Sequence, residues 1–173
     1  TVHLTGPLDT RALGRALQAL VDRHESLRTR FAERRGAPPT QVIDPSSSFS
    51  FPILDAADFE EAREKAIGLR NEPFDLARGP LFRASLLRVH DESHVLVLSL
   101  HHIVTDAWSW GVLERELGVL YSAFAAGRPD PLEPLAVQYA DYAVWQRSWM
   151  TGDVLAAQIG YWRAQLRGAP PAL

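Results

Sequence analysis

The chain has 173 residues, 46% of them hydrophobic and 23% charged, with a formal net charge of −3. That much apolar material supports a globular core, and the slight acidic excess leaves no cationic surplus to neutralise phosphates, so nucleic acid is not an expected partner. With 0 cysteines, disulfides, thiolate zinc sites and thiol nucleophiles are excluded together, and the composition fits a reducing, cytoplasmic setting.

Thr1 to Gly6 has the character of a strand tail, stopped by Pro7; because the first residue is Thr1, a segment upstream is expected. Asp9 or Thr10 caps a predicted helix to about Glu25, with Leu13, Ala16, Leu17, Leu20 and Val21 on one face. Leu27 to Ala32 is strand-like, Gly36 to Pro39 a turn, Gln41 to Ile43 a short strand and Pro45 to Ser50 a polar loop. Asp58 opens a second helix with Phe59, Ala62, Ala66 and Leu69 on one side. Its acidic start, Asp58, Glu60, Glu61 and Glu64, reads as a solvated face. Asn71, Pro73 and Gly79-Pro80 interrupt the chain before a predicted hairpin, Leu81 to His90 and Val95 to His101, turning at Asp91 to Ser93. A loop over Ile103 to Trp108 leads into a helix from about Ser109 to Ala126, ended by Gly127. Two further helices are predicted over Val137 to Met150 and Asp153 to Leu166, and Gly168 with Pro170-Pro171 reads as the start of a linker. The order predicts a mixed α/β layer. The apolar run Val95 to Leu100 is too short to span a bilayer, and neither a signal peptide nor a membrane partner is expected.

The main chemical signal is His101-His102-Ile103-Val104-Thr105-Asp106. Strand alternation would put His101 with Val95, Val97 and Ser99, and His102 on the opposite face, a poor geometry for a shared metal; no metal is expected. Imidazole titrates near neutrality and can take a proton from an amine or hydroxyl nucleophile. The competing reading is two satisfied histidines at a strand end. For Asp106 it is a helix cap ahead of Ser109, and for Trp108 and Trp110 it is core or helix packing. Arg23 to Phe31 crowds charged residues at a helix-to-strand corner, which also suits a solvated helix end. Tyr142, Trp145 and Trp149 recur at helical spacing and read as a core-facing stripe. No Gly-x-Ser-x-Gly elbow and no phosphate-binding glycine loop occurs.

Together and in this order, the segments resemble the condensation domain of nonribosomal peptide synthetases. Arg23 to Phe31 matches that family's RHExLRTxF motif, His101 to Ser109 matches HHxxxDxWS, and Tyr139 to Trp145 matches YxDYAVW. Gly127 to Leu132 and Tyr161-Trp162-Arg163 extend the resemblance over almost the whole chain. The family usually has glycine where this chain has Ala107. A first SxAQxRLW-like motif would precede Thr1, and the later motifs would follow Leu173. The resemblance implies an α/β, chloramphenicol acetyltransferase-like lobe with a mixed sheet covered by helices. Residues 1–168 would be the N-terminal lobe of a two-lobed condensation domain, and residues 169–173 the start of the linker to the C-terminal lobe. Heterocyclisation domains carry aspartate in place of the histidine pair, which His101-His102 opposes; epimerisation domains use HHxxxDxxSW, which Ser109-Trp110 also satisfies.

The implied reaction is amide formation between an acceptor amine and a donor thioester. Both are carried on phosphopantetheine arms of donor and acceptor peptidyl carrier proteins, with no cofactor bound directly. By the resemblance His102 acts as base or positioning group, His101 packs behind its loop, and Asp106 pairs with an arginine of the first matched motif, Arg28 rather than Arg23. An adenylation domain would be adjacent, and the segment by itself would not catalyse. The alternatives are epimerisation, a coenzyme A-dependent acyltransferase and a non-catalytic carrier-docking module.

Overall fold

The computed structural model describes residues 1–34 and 36–170; the linker reading at 171–173 lies outside the described residues. The chain divides into two compact units, Thr1–Leu135 and Ala136–Leu173.

The first unit runs β1 (Val2–Thr5), α1 (Thr10–Arg23), a 3₁₀ turn (Glu25–Arg28), β2 (Thr29–Arg34), β3 (Ala37–Ile43), β4 (Ile53–Asp55), α2 (Phe59–Asn71), β5 (Phe82–His90), β6 (Ser93–Leu100) and α3 (Ala107–Ala125). One sheet has the order β1-β6-β5-β4, and β2 pairs with β3 in a second. In the larger sheet β1 and β5 run antiparallel to β6, while β4 runs parallel to β5, so the sheet is mixed as expected.

Alternation along β5 decides which helix covers which face. Leu86 joins α1 and α3 through Leu13, Leu17, Leu20 and Leu120. Its neighbour Leu87 joins Ala62 and Ala66 of α2 in a second cluster. Both leucines are fully buried, and truncating such a side chain to alanine typically costs about 2–5 kcal/mol. Because the central hairpin is covered on both sides, β5 is buried without a break from Ala84 to Leu87, Ser85 included. Asp9 starts α1 by accepting from the Ala12 N–H at 2.9 Å. Gly127 stops α3 with φ +68°, where a side chain would be strained. The Gly127 N–H donates to Phe124 O at 3.0 Å and the Arg128 N–H to Ala123 O at 2.8 Å, the paired closure that satisfies the last carbonyls.

Several bounds differ from the sequence expectations. Leu27 and Arg28 lie in the 3₁₀ turn, not in a strand. Pro38 and Pro39 belong to β3; a two-stranded sheet leaves each strand one open edge, where a missing N–H is tolerated. β4 has only three residues, too few to show a period, and exists because β5 offers its edge in parallel register. The hairpin turn is shorter than expected, with β6 starting at Ser93. Phe59 is not part of the α2 core stripe; it is half exposed and meets the His3 ring edge-on at 4.8 Å.

His94 sits in β6 opposite Leu4 and Arg88, 3% exposed, with Nδ1 lacking a partner among the described residues. Burial, and then the nearby Arg88 charge, hold its pKa below the ordinary histidine value. The unfolded chain therefore takes up this proton first as pH falls below about 6.5, so the contribution of His94 to stability is full above that pH and lost on acidification through the lower folded value. Urea denaturation at pH 8 and pH 5.5 should show the loss, and His94→Leu should reduce the difference; an unchanged pH slope in that variant would count against it.

In the second unit, α4 (Tyr139–Trp149) and α5 (Gly152–Gln165) are joined by a short turn. The Gln138 N–H donates to Asp141 Oδ2 at 2.9 Å and opens α4. The stripe expected to face a core does not: Tyr142, Trp145 and Trp149 are all exposed, and α4 and α5 bury no residue. Two short helices enclose too little volume for a core of their own. The rings pack on each other instead, with Tyr142–Trp145 and Trp145–Trp149 centroids each 5.6 Å apart.

Candidate active site

β6 ends at Leu100, one residue before the histidine pair. The His101 backbone N–H still donates to Leu81 O at 3.0 Å, so the sheet holds the chain where it leaves. The Ile103 N–H donates to His101 Nδ1 at 3.0 Å, and the Val104 N–H to His101 O at 3.0 Å. An Nδ1 that accepts leaves the ring proton on Nε2. Phe74 meets the His101 ring edge-on at 5.7 Å. His101 is thus the half-buried pivot of the turn, and His102 is the exposed residue that the turn carries. The two histidines differ because the strand has already ended, not because strand alternation continues through them.

Asp106 closes the far side of this loop. Its Oδ1 accepts from the Ser109 N–H at 2.8 Å and from the Ser109 hydroxyl at 2.7 Å. Those two bonds, the hydroxyl first, hold the Asp106 carboxyl below its usual range. The helix starts at Ala107, two residues before the expected Ser109. Ala107 has ordinary helical surroundings as the first residue of α3, and no residue among those described has a positive φ unless it is glycine. The expected Asp106–Arg28 ion pair is not formed. Arg28 ends the 3₁₀ turn, where its guanidinium donates to Asp44 O at 2.6 Å and to Glu25 Oε1 at 3.5 Å. The brace on the loop is a helix cap. Trp108 is also not a packing residue, being 84% exposed. Trp110 is half-buried, and its Nε1–H donates to Glu114 Oε1 at 2.8 Å.

Replacing Asp106 by alanine should lower Tm by about 2–4 °C and reduce activity with it, because the first turn of α3 loses its cap. The folded pKa is depressed, so the cap is intact above the ordinary carboxylate range and is lost as pH falls through the lowered value. Thermal melts of both proteins would check this. Full loss of turnover with an unchanged melting curve would instead assign Asp106 a direct chemical part.

Arg23 and His24 converge on Glu116 of α3. Arg23 Nε lies 3.2 Å and His24 Nε2 2.6 Å from Glu116 Oε2, and Arg23 Nη1 donates to Glu133 O at 2.6 Å. Arg23 therefore ties the end of α1 to α3. Glu116 is only 7% exposed and escaped sequence reasoning. Its signal was a single acid on the buried stripe Leu113, Glu116, Leu120, a position where a carboxylate needs partners.

Among the described residues no cluster of three or more metal-ligating side chains occurs, and no helix is long and apolar enough to cross a membrane. The site is one exposed imidazole on a pinned turn.

Comparison with known proteins gives the context. A linear gramicidin synthase chain of Brevibacillus parabrevis is 46% identical over 177 residues, 99% of this chain and 2% of that protein. Malpinin synthetase of Mortierella alpina is 41% identical over 179 residues, again 99% of this chain and 2% of the relative. Among solved structures, the X-domain from teicoplanin biosynthesis superposes with a TM-score of 0.88 at 32% identity, covering 97% of this chain and 38% of that one. The chain is thus a small part of the curated relatives it matches. Its fold is one chloramphenicol acetyltransferase-like lobe. The family model for the condensation domain matches residues 1–173, and with the histidine turn at the end of β6 this chain belongs to the condensation-domain family.

Proposed function

We propose that residues 1–168 are the N-terminal lobe of a condensation domain that forms an amide bond in nonribosomal peptide synthesis, with residues 169–173 beginning the connection to a C-terminal lobe. The observation that carries this reading is the exposed His102, held between a pinned His101 and the helix-capping Asp106 in a chain of this family. The amine of an acceptor aminoacyl thioester attacks the carbonyl of the donor thioester. The C–N bond forms, the C–S bond breaks, and the amine proton passes to His102 Nε2 or Nδ1 and from there to the departing thiolate, which leaves as the thiol. His101 and Asp106 position the turn, Ser109 completes the cap, Ala107 and Trp108 border it, Arg23 ties α1 to α3 behind it, and Arg28 braces the 3₁₀ turn of the first matched motif. Donor and acceptor peptidyl carrier proteins bring both substrates on phosphopantetheine arms, so no cofactor is needed in the lobe itself. An adjacent adenylation domain and a cytoplasmic setting follow from the same reading.

Ser109-Trp110 also fits an epimerisation pattern, and the test separates the two. The complete domain is given donor and acceptor carriers loaded with different L-amino acids, and products are released and resolved by chiral chromatography with mass spectrometry. A dipeptide on the acceptor carrier supports condensation. Inversion of a residue on a single carrier, without a dipeptide, supports epimerisation instead.

A further inference from the structure

Residues 72–81, between α2 and β5, belong to none of the three matched motifs, yet they bond to two of them. The Phe31 N–H, at the end of the first motif, donates to Leu76 O at 2.7 Å. The His101 N–H, at the start of the second, donates to Leu81 O at 3.0 Å. Asp75 closes the segment on itself. Its Oδ1 accepts from the Ala77 and Arg78 N–H groups at 2.9 and 3.1 Å, and its carbonyl from the Gly79 N–H at 2.8 Å.

The segment brings Phe74 to the histidine turn. Phe74 and His101 meet edge-on, with ring centres 5.7 Å apart and planes at 90°. Arg83 covers the face of the same Phe74 ring, its guanidinium carbon 4.0 Å from the centre. Both contacts lie in the attractive range for their kind. Arg83 stands on β5 opposite Ser99 of β6, so the sheet fixes its backbone. Its guanidinium donates to Glu72 Oε2 at 3.2 Å and to the carbonyls of Glu72 and Pro73, the two residues before the ring it covers. Arg83, Phe74 and His101 therefore form a row of side chains from the sheet to the turn that carries His102.

The row acts where His101 is soft. The His101 ring shapes the turn through one bond, Nδ1 accepting from the Ile103 N–H at 3.0 Å. The imidazole torsion is broad and roughly two-fold, so a ring free to turn over would lose that bond. We propose that Phe74, backed by Arg83, is a positioning residue for the reaction: it holds the His101 ring in the orientation that accepts from Ile103, and thereby sets the place of His102. The effect on rate rests on the amide-forming reading above; the effect on His101 does not.

Two measurements on the complete domain test this. With ¹⁵N-labelled histidine, and His101 assigned through His101→Asn, the spectrum should show Nδ1 unprotonated and Nε2 protonated. In Phe74→Leu the two nitrogen shifts should converge, as the ring samples both tautomers. In single-turnover assays Phe74→Leu should slow dipeptide formation at saturating carriers at least about tenfold, with the half-saturating carrier concentration within about twofold of the parent, since a 1 Å misplacement can cost ~10²-fold in rate. Phe74→Tyr, which keeps the ring, should recover most of the rate. Arg83→Met should lower the rate by itself and add nothing in a Phe74→Leu background, because both changes break one row. Should Phe74→Leu fail to fold, Arg83→Met carries the same two readouts with the same consequences. Unmoved His101 signals or a full rate in folded Phe74→Leu, or a Phe74→Tyr as slow as Phe74→Leu, would overturn the proposal. A parent domain that forms no dipeptide would defeat the amide-forming reading, and the His101 signals alone would then decide this one.

Discussion

Replacing His102 by alanine is expected to lower dipeptide formation by at least about 10²-fold, within the ~10²–10⁴-fold that a positioned general base contributes. His102 is exposed, so its side chain supports little packing, and the turn that carries it is held by His101 and Asp106. The variant should therefore keep the melting temperature of the parent. Single-turnover assays with loaded carriers, run beside thermal melts, would measure both. Near-normal turnover would remove His102 from the mechanism. The matched change at His101 should behave differently. His101 accepts from Ile103 and packs on Phe74, so His101→Ala should cost stability as well as rate.

Residues 1–173 alone are expected to give no detectable dipeptide from two loaded carriers. Holding two reactants in one geometry is worth effective molarities of ~10⁵–10⁸ M, and a lobe with His102 open to solvent holds neither arm. This chain corresponds to 38% of the solved X-domain chain. Its exposed aromatics include Trp108, Trp145 and Trp162, an amount of uncovered apolar surface that favours association. Light scattering should report species larger than 19.3 kDa, and activity should appear only when the remaining part of the domain is supplied. A monomer that turns over unaided would show that the site is complete within these residues.

Much of this was legible from the residues. Helix α1 was readable because Leu13, Ala16, Leu17, Leu20 and Val21 keep helical spacing and Asp9 supplies a cap. The β5–β6 hairpin was readable because both strands are apolar and a polar turn joins them. The catalytic candidate and its family followed from three motifs in order. What escaped depended on distant partners. β4 exists through β5, and Glu116 is tolerated through Arg23 and His24. The exposed α4 stripe has the same spacing as a buried one, so periodicity alone could not tell them apart.

The motifs, the helix caps and the mixed α/β order were determined by the sequence itself, since each rests on residues a few positions apart, where side-chain period and backbone preference act directly. Three matters were decided only in three dimensions. Arg28 is not the partner of Asp106 because the fold brings it to the Asp44 carbonyl, sixteen positions along the chain. His101 became the pivot and His102 the exposed residue because Leu81 and Phe74 close over one side of the turn. Glu116 came to lie among buried residues of α3 because Arg23 and His24, some ninety positions away, reach its carboxylate. Charge and hydrogen-bonding demand are properties of each side chain, but their satisfaction is a property of whichever groups the fold brings within about 3 Å.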